Sequence, residues 1–334
     1  MKAAQFIGEN KLTVLEKPRP EPKPGELLVK VAYCGLCGSE KRVLGKGFTT
    51  CTPGHETSGT VESCGSKDSK FKPGDEILIY FVNYCGECPA CKQGKTTQCT
   101  NKGKSIGWGF DGGYAEYTVI PESMAFPLEG LPLNLGVIAL DTIGTAFHGL
   151  RQCDIAPGQS VMVLGCGPIG LGAVCILKNH YKIDRLYAAD ISSYHLDLAK
   201  NFGAIPLKVD PADTAGSIAA QLNEPIDVIA EIVGADATFE AAIRLVRPDG
   251  KVVFIGEPEK DMLIKRNGGW LLKDFCLFNS WYFFITEIKD NLDFIRKNQA
   301  EVEKIITHEF PIEQMTEAFE IFCRGETGKV LIKQ

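Results

Sequence analysis

Four cysteines stand close together as Cys85-x2-Cys88-x2-Cys91-x7-Cys99. Thiolates at this spacing can wrap one tetrahedral zinc, and an all-cysteine set leaves no coordination position open, so the site staples a loop and does no chemistry. Ferredoxin-type runs also begin C-x2-C-x2-C, but their fourth cysteine comes sooner and precedes a proline; here Thr100 follows Cys99. A second set is dispersed: Cys37 in Cys34-Gly-Leu-Cys37-Gly-Ser39-Glu40, then His55-Glu56, then Asp141. One sulfur, one imidazole and one carboxylate leave room for water or substrate, as a catalytic zinc requires. Spacing alone does not establish that site. Taken singly, His55 is more often a satisfied loop histidine, and Asp141 more often an N-cap for a helix over 142–149. Cys34 reads as a small buried residue and not as a ligand.

A third constellation is Gly165-Cys-Gly167-Pro168-Ile169-Gly170, entered from the apolar run Val161–Leu164. In a strand–loop–helix of this kind Gly165 permits the tight turn, Gly167 admits a pyrophosphate to the backbone, and Gly170 lets helix and strand pack closely. Pro168 suits the first helical turn, whose free N–H groups and dipole favour phosphates. A glycine-rich turn without a ligand is the bland alternative. Asp190, twenty residues past Gly170, weighs against it, because a carboxylate there can bind both ribose hydroxyls. Asp190 would repel a 2′-phosphate, and Ile191-Ser192-Ser193 supplies no arginine, so NAD is expected ahead of NADP. His195 is a poor substitute for that arginine.

These residues need positioning elements of two kinds. Up to about residue 140, strand-like runs such as Leu27–Ala32 and Glu76–Phe81 are separated by turn signals such as Lys72-Pro73-Gly74-Asp75. From Val161 the rhythm changes. Val161–Leu164, Arg185–Ala189, Asp227–Ile232 and Lys251–Ile255 suit buried parallel strands. Pro168–Lys178, Ser193–Phe202 and Ala235–Val246 between them suit helices, and the alternation predicts a doubly wound α/β sheet. A last strand is expected at Lys329–Ile332.

The 334 residues suffice for two ordinary domains, and 44% hydrophobic with 23% charged residues supports a packed core. The formal net charge of -6 gives no electrostatic reason to expect nucleic acid or an anionic membrane as partner. Thirteen cysteines, an odd number, with no apolar h-region near Met1, read as metal-binding thiols in a cytoplasmic chain. The most apolar run, Val161–Leu177, is broken by glycines and a proline and is a poor membrane span.

Taken together, the sequence resembles the zinc-containing medium-chain dehydrogenase/reductase superfamily of alcohol, sorbitol and threonine dehydrogenases. The resemblance covers essentially the whole chain. It rests on Gly35-Leu-Cys37-Gly38-Ser39, Gly54-His55-Glu56-x2-Gly59, the four-cysteine lobe, Asp111-Gly-Gly-Tyr-Ala-Glu-Tyr117 and Gly165-x-Gly-Pro-x-Gly170. It implies a GroES-like β-rich catalytic domain (1–147 and 286–334) carrying the lobe 85–99, interrupted by a Rossmann NAD-binding domain (148–285). Cys37 and His55 are then catalytic zinc ligands, Glu56 binds directly or through water, and Asp141 gives the remaining ligand. Cys85, Cys88, Cys91 and Cys99 match a structural zinc, making two zincs per chain.

The implied reaction is hydride transfer between NAD and a secondary alcohol, polyol or sugar, with Ser39 taking the hydroxyl proton toward the cofactor ribose. NADP use and a non-catalytic zinc- or nucleotide-binding protein are the alternatives. The sequence departs from the family pattern at Glu40, where an Asp usually orients the histidine, and at Arg42, where a proton-relaying His is common. Arg42 would contact a cofactor phosphate or an acidic substrate group, or stand solvated. Trp108, Phe110 and Trp270 are candidates to line the substrate pocket. The basic residues Lys92, Lys95, Lys102 and Lys104 could serve a phosphate-bearing substrate, but read first as a solvated rim around a negatively charged four-thiolate zinc centre. A homodimer or homotetramer is implied, built on an exposed apolar edge near Leu277–Phe284.

Overall fold

The strand Glu26–Gly35 is the spine of the β-rich half, and its pattern of buried residues explains why. Leu27, Leu28, Val29, Val31 and Cys34 are all buried, so both faces of the strand are covered. It pairs antiparallel with Glu56–Cys64 along one edge. Along the other it pairs with Tyr117–Pro121 near its start and Lys329–Lys333 near its end. The sheet continues through Glu76–Ile79 to Ala125–Pro127 on one side and ends at Ile306–Pro311 on the other. This mixed sheet therefore uses chain from both ends of the sequence. The computed structural model describes residues 1–8, 12–44, 50–262, 270 and 272–334. The side chains of residues 42–44 lie outside that description, and with them the reading made for Arg42.

Between the two contributions lies a six-stranded, all-parallel sheet. Its spatial order is Ile205–Lys208, Arg185–Asp190, Ser160–Leu164, Ile226–Glu231, Val246–Phe254, Cys276–Asn279. In chain order that is 3-2-1-4-5-6, the Rossmann arrangement, whose switch point lies between Ser160–Leu164 and Ile226–Glu231. Ser160–Leu164 is buried at all five positions, as a central strand covered by helices must be. The fold is α/β, a mixed β-sheet joined to a parallel sheet of Rossmann order.

Two local expectations change, and one strand adds to them. Asp141 is not a helix N-cap. It opens a π-helical turn, Asp141–Thr145, inside one helical run from Leu133 to Arg151. That run is long and apolar enough to cross a membrane by length and composition, and 83% of its most apolar window is buried in the fold. The exposed edge near Leu277–Phe284 is shorter than expected. Cys276 and Leu277 are exposed on the outer strand, whereas Tyr282 and Phe283 turn inward and are buried. Finally, Ile205–Lys208, with Pro206 in it, is a sheet-edge strand that periodicity does not signal.

Candidate active site

Cys37 leaves the spine strand just before the helix Gly38–Leu44, and His55 immediately precedes the neighbouring strand, which Glu56 opens. Asp141 arrives from the π-helical turn, where the extra residue per turn re-aims a side chain out of helical register. One donor atom from each of Cys37, His55, Glu56 and Asp141 lies within 4.8 Å of all the others. Asp141 Oδ2 is 3.6 Å from Cys37 Sγ and 3.3 Å from His55 Nε2. The other imidazole nitrogen, Nδ1, faces Glu40 Oε1 at 3.3 Å without hydrogen-bond alignment. Glu40 Oε2 in turn accepts from Tyr114 Oη and from the Cys37 backbone N–H at 3.2 Å. Glu40 therefore reaches the histidine from behind, as an orienting carboxylate does.

Glu56 is shared between two neighbours. Its Oε1 pairs with Lys329 Nζ, which also donates to Leu36 O at 3.0 Å. Lys329, only 1% exposed, was invisible to sequence reading, where it was one residue of a final strand. Four buried atoms in this cluster have no hydrogen-bond partner among the described residues: Glu40 Oε1, His55 Nδ1, Glu56 Oε2 and Asp141 Oδ1. Buried acceptors in this number are destabilising unless something positive stands among them. Burial pushes the Cys37 thiol up, and it pushes the Glu56 carboxyl up to about 7 although Lys329 opposes it. Burial disfavours the His55 cation, yet Asp141 and Cys37 outweigh it and hold its pKa well above the usual value. A sulfur, an imidazole and two carboxylates around one point fit a zinc ion, and a divalent cation there offsets the buried negative charge.

Ser39 Oγ donates to Cys37 Sγ at 3.3 Å and faces the same cavity as the cluster. Cys34, as expected, stays apart: fully buried, with its Sγ 3.2 Å from Thr57 Oγ1.

The four-cysteine lobe also brings its sulfurs together, again within 4.8 Å of one another. Cys85 Sγ lies 3.5 Å from Cys99 Sγ and 4.0 Å from Cys91 Sγ. Tetrahedral zinc–thiolate geometry puts sulfurs roughly 3.8 Å apart, so the set fits the ion. Backbone N–H groups point at the sulfurs: Cys88 N at Cys85 Sγ and Asn101 N at Cys99 Sγ, each at 3.4 Å. A backbone hydrogen bond from Cys91 brings the Cys88 thiol down to about 5, while burial pushes Cys91 up to about 12. No lobe cysteine borders either cavity described here.

Two cavities of about 620 and 600 Å³ meet at Cys37 and Gly38. The second runs along the glycine loop and contains Gly165, Gly167, Pro168, Ile169, Gly170 and Asp190 in its wall. Gly165 has φ 98°, which only glycine adopts freely, and a Cβ on Gly170 would sit 2.0 Å from Gly165 O. A Cβ on Gly167 would meet nothing, leaving the backbone open to a ligand. Asp190 Oδ2 accepts from Cys166 N and its Oδ1 from Ser192 N, both at 2.7 Å. Burial would raise the Asp190 carboxyl, but the hydrogen bond from His195 and these backbone bonds hold it low. His195 is engaged on both sides, with Nδ1 at 3.4 Å from Asp190 and Nε2 at 3.1 Å from Thr327 O. Lys208, overlooked in the sequence, places Nζ 2.9 Å from Ser193 Oγ and 2.5 Å from Ile191 O.

The first cavity holds the metal-type cluster and an aromatic wall. Of the three aromatics proposed from sequence, Trp108 lines it; Phe110 packs on the β-rich core and Trp270 against Phe275. Phe81, Trp281 and Tyr282 complete the wall and carried no local signal. The basic residues of the lobe region are exposed and line neither cavity.

Comparison with known proteins gives a consistent picture. Residues 23–130 match the family described as alcohol dehydrogenase GroES-like domain, and residues 168–297 match zinc-binding dehydrogenase. The chain is 30% identical over 352 residues to an L-threonine 3-dehydrogenase of Photorhabdus laumondii, covering 99% of each. It superposes on the alcohol dehydrogenase TADH of Thermus sp. ATN1 with a TM-score of 0.92 at 28% identity, with both chains fully covered. Galactitol-1-phosphate dehydrogenase of Escherichia coli is similar too, with a TM-score of 0.88 at 28% identity over the full length of each chain.

Proposed function

Because the chain belongs to the zinc-containing medium-chain dehydrogenase/reductase superfamily, we propose that it oxidises a secondary alcohol, polyol or sugar hydroxyl with NAD. The observation that carries this is the junction of the two cavities at Cys37 and Gly38. A dinucleotide on the glycine loop and a hydroxyl at the Cys37–His55–Asp141 cluster would there face one another. When bound, zinc lowers the pKa of a substrate hydroxyl and the nicotinamide accepts a hydride.

The chain's own residues do the rest. Cys37, His55 and Asp141 would hold the metal, and Glu56, anchored by Lys329, stands in reserve with one oxygen toward it. Glu40, fixed by Tyr114, keeps the His55 ring turned so that Nε2 faces the cluster. Ser39 is the proton acceptor at the substrate hydroxyl. Cys85, Cys88, Cys91 and Cys99 would hold a second, closed zinc. Gly165–Gly170 would receive the pyrophosphate, and Asp190 the adenosine ribose.

NADP is the second reading, and Lys208 favours it: its ammonium lies beside Ile191 and Ser193, where a 2′-phosphate would stand. Asp190 favours NAD, since its carboxylate lines the cavity along the glycine loop. The ratio of kcat/KM for the two cofactors decides between them, and Lys208→Ala would collapse any NADP activity.

The test of the reaction is NAD reduction on an alcohol and polyol panel, with metal counted per chain before and after mild chelation. Two zincs, one removable with loss of turnover, is the expected result. One tight zinc and no turnover would leave a non-catalytic binding protein. Ser39→Ala should lower turnover strongly with NAD affinity nearly intact; unchanged turnover removes Ser39 from the proton path.

A further inference from the structure

Two tryptophans stand unusually open in this cavity. Trp108 is 42% and Trp281 45% exposed, whereas large aromatics in a folded chain are mostly covered. Both line the cavity that contains the metal-type cluster, and neither lines the one that runs along the glycine loop. The walls common to both cavities, such as Ile169, Ile232 and Val233, belong to the cofactor side. The tryptophans are thus on the side left for the substrate.

Their distance from the reacting position is short. The Trp108 ring centroid is 6.2 Å from that of His55. Phe81 lies 5.3 Å from His55 and 6.3 Å from Trp281, bridging the two. Trp108 is indexed to His55 through the backbone, since a Cβ on Gly107 would come within 3.0 Å of Gly54. Trp281 follows the last parallel strand, whereas Trp108 sits in the turn between Ile106 and Phe110, so the two indoles come from distant parts of the chain. Lys102 Nζ stands 5.0 Å over the Trp281 ring but is tied to Thr97 O at 2.8 Å. The Tyr282 hydroxyl accepts from Phe81 N at 3.3 Å, which fixes the wall behind them.

We propose that Trp108 and Trp281 form a ring clamp that selects a cyclic polyol, a cyclitol or a pyranose, over an open-chain one. The proposal rests on the dehydrogenase reading above and narrows its substrate. An indole face gains most from a flat, rigid set of C–H groups. A six-membered ring offers that set already organised, with a hydroxyl left over at its rim for the metal. An open-chain polyol must freeze several torsions to do the same and presents hydroxyls along its length. The described lining contains no Lys or Arg and includes Glu257 and Glu259 at its rim, which disfavours a phosphorylated ring.

The chain has three tryptophans, two of them in this wall, so intrinsic fluorescence reports on occupancy without turnover. The zinc-loaded protein without NAD would be titrated with myo-inositol and D-glucose, and in parallel with sorbitol and 2,3-butanediol, with NAD reduction by the same probes followed separately. The cyclic probes should change the tryptophan emission and the open-chain ones should not. Trp108→Ala and Trp281→Ala should each raise KM for the cyclic substrate about five- to tenfold with a smaller change in kcat, and the Phe variants should restore most of it. Equal responses to cyclic and open-chain probes, or none to the cyclic ones, would overturn the clamp. An emission change with cyclic probes but no NAD reduction would instead overturn the dehydrogenase reading and leave the clamp standing.

Discussion

The two metal-type clusters use overlapping chemistry and differ in how the chain builds them. The lobe takes four like donors from one short stretch, ordered by turns such as Pro89–Lys92 and by N–H groups of its own backbone. The dispersed cluster takes three kinds of donor, with Cys37 and Asp141 separated by 104 positions. The lobe offers four sulfurs and borders neither cavity, whereas the dispersed set has orphaned oxygens and opens on both. A closed ligand set comes easily from local sequence. An open one needs rigid walls to hold its donors apart while leaving a position free, and only tertiary structure supplies those walls.

The comparison is broken most decisively by removing a dispersed donor. Asp141→Ala should reduce turnover by on the order of a thousandfold and remove one metal per chain, leaving the lobe's metal and the fold in place. Elemental analysis beside NAD reduction checks it; loss of both metals would mean the clusters are not independent. The converse change, Cys99→Ser, should release the lobe's metal and lower Tm by on the order of ten degrees. Calorimetry on the purified variant reads this, and an unchanged Tm would show the lobe to be unmetallated.

Smaller effects sharpen the contrast. Glu40→Gln weakens the carboxylate behind His55, so metal affinity at the dispersed site should drop about tenfold to a hundredfold, with the lobe unaffected. Competition with a graded chelator separates the two populations. The smallest change probes the lobe's anchorage. Thr96 Oγ1 is 2.7 Å from Tyr80 Oη and accepts from Ile285 N at 3.0 Å, joining the lobe to the segment that returns from the parallel sheet. Thr96→Val should cost about 1–2 kcal/mol in urea unfolding with kcat unchanged. A parallel fall in kcat would show that the lobe helps to set the active-site wall through Tyr282 and Phe283.

Much of this was legible in the chain. The lobe could be read because its four cysteines are sequence neighbours, and the glycine loop because Gly165, Gly167 and Gly170 meet steric demands within a single strand–turn–helix. The parallel strands could be read because burial on both faces leaves continuous apolar runs. Asp141 was legible as a candidate donor, but not the π-helical turn that carries it, since such a turn has no sequence period of its own.

The sequence by itself determined the local devices: the cysteine lobe, the glycine loop, the alternation of strand and helix, and the residue types able to hold a metal. Tertiary structure alone decided that Cys37, His55, Glu56 and Asp141 converge, that Lys329 and Tyr114 stand behind them, and that Phe81, Trp108, Trp281 and Tyr282 share one wall. The reason is physical. Local conformation follows from sterics and hydrogen bonds among near neighbours, which a sequence displays. Contacts between distant residues follow from how whole sheets pack and in what register, and no single stretch of sequence carries that information.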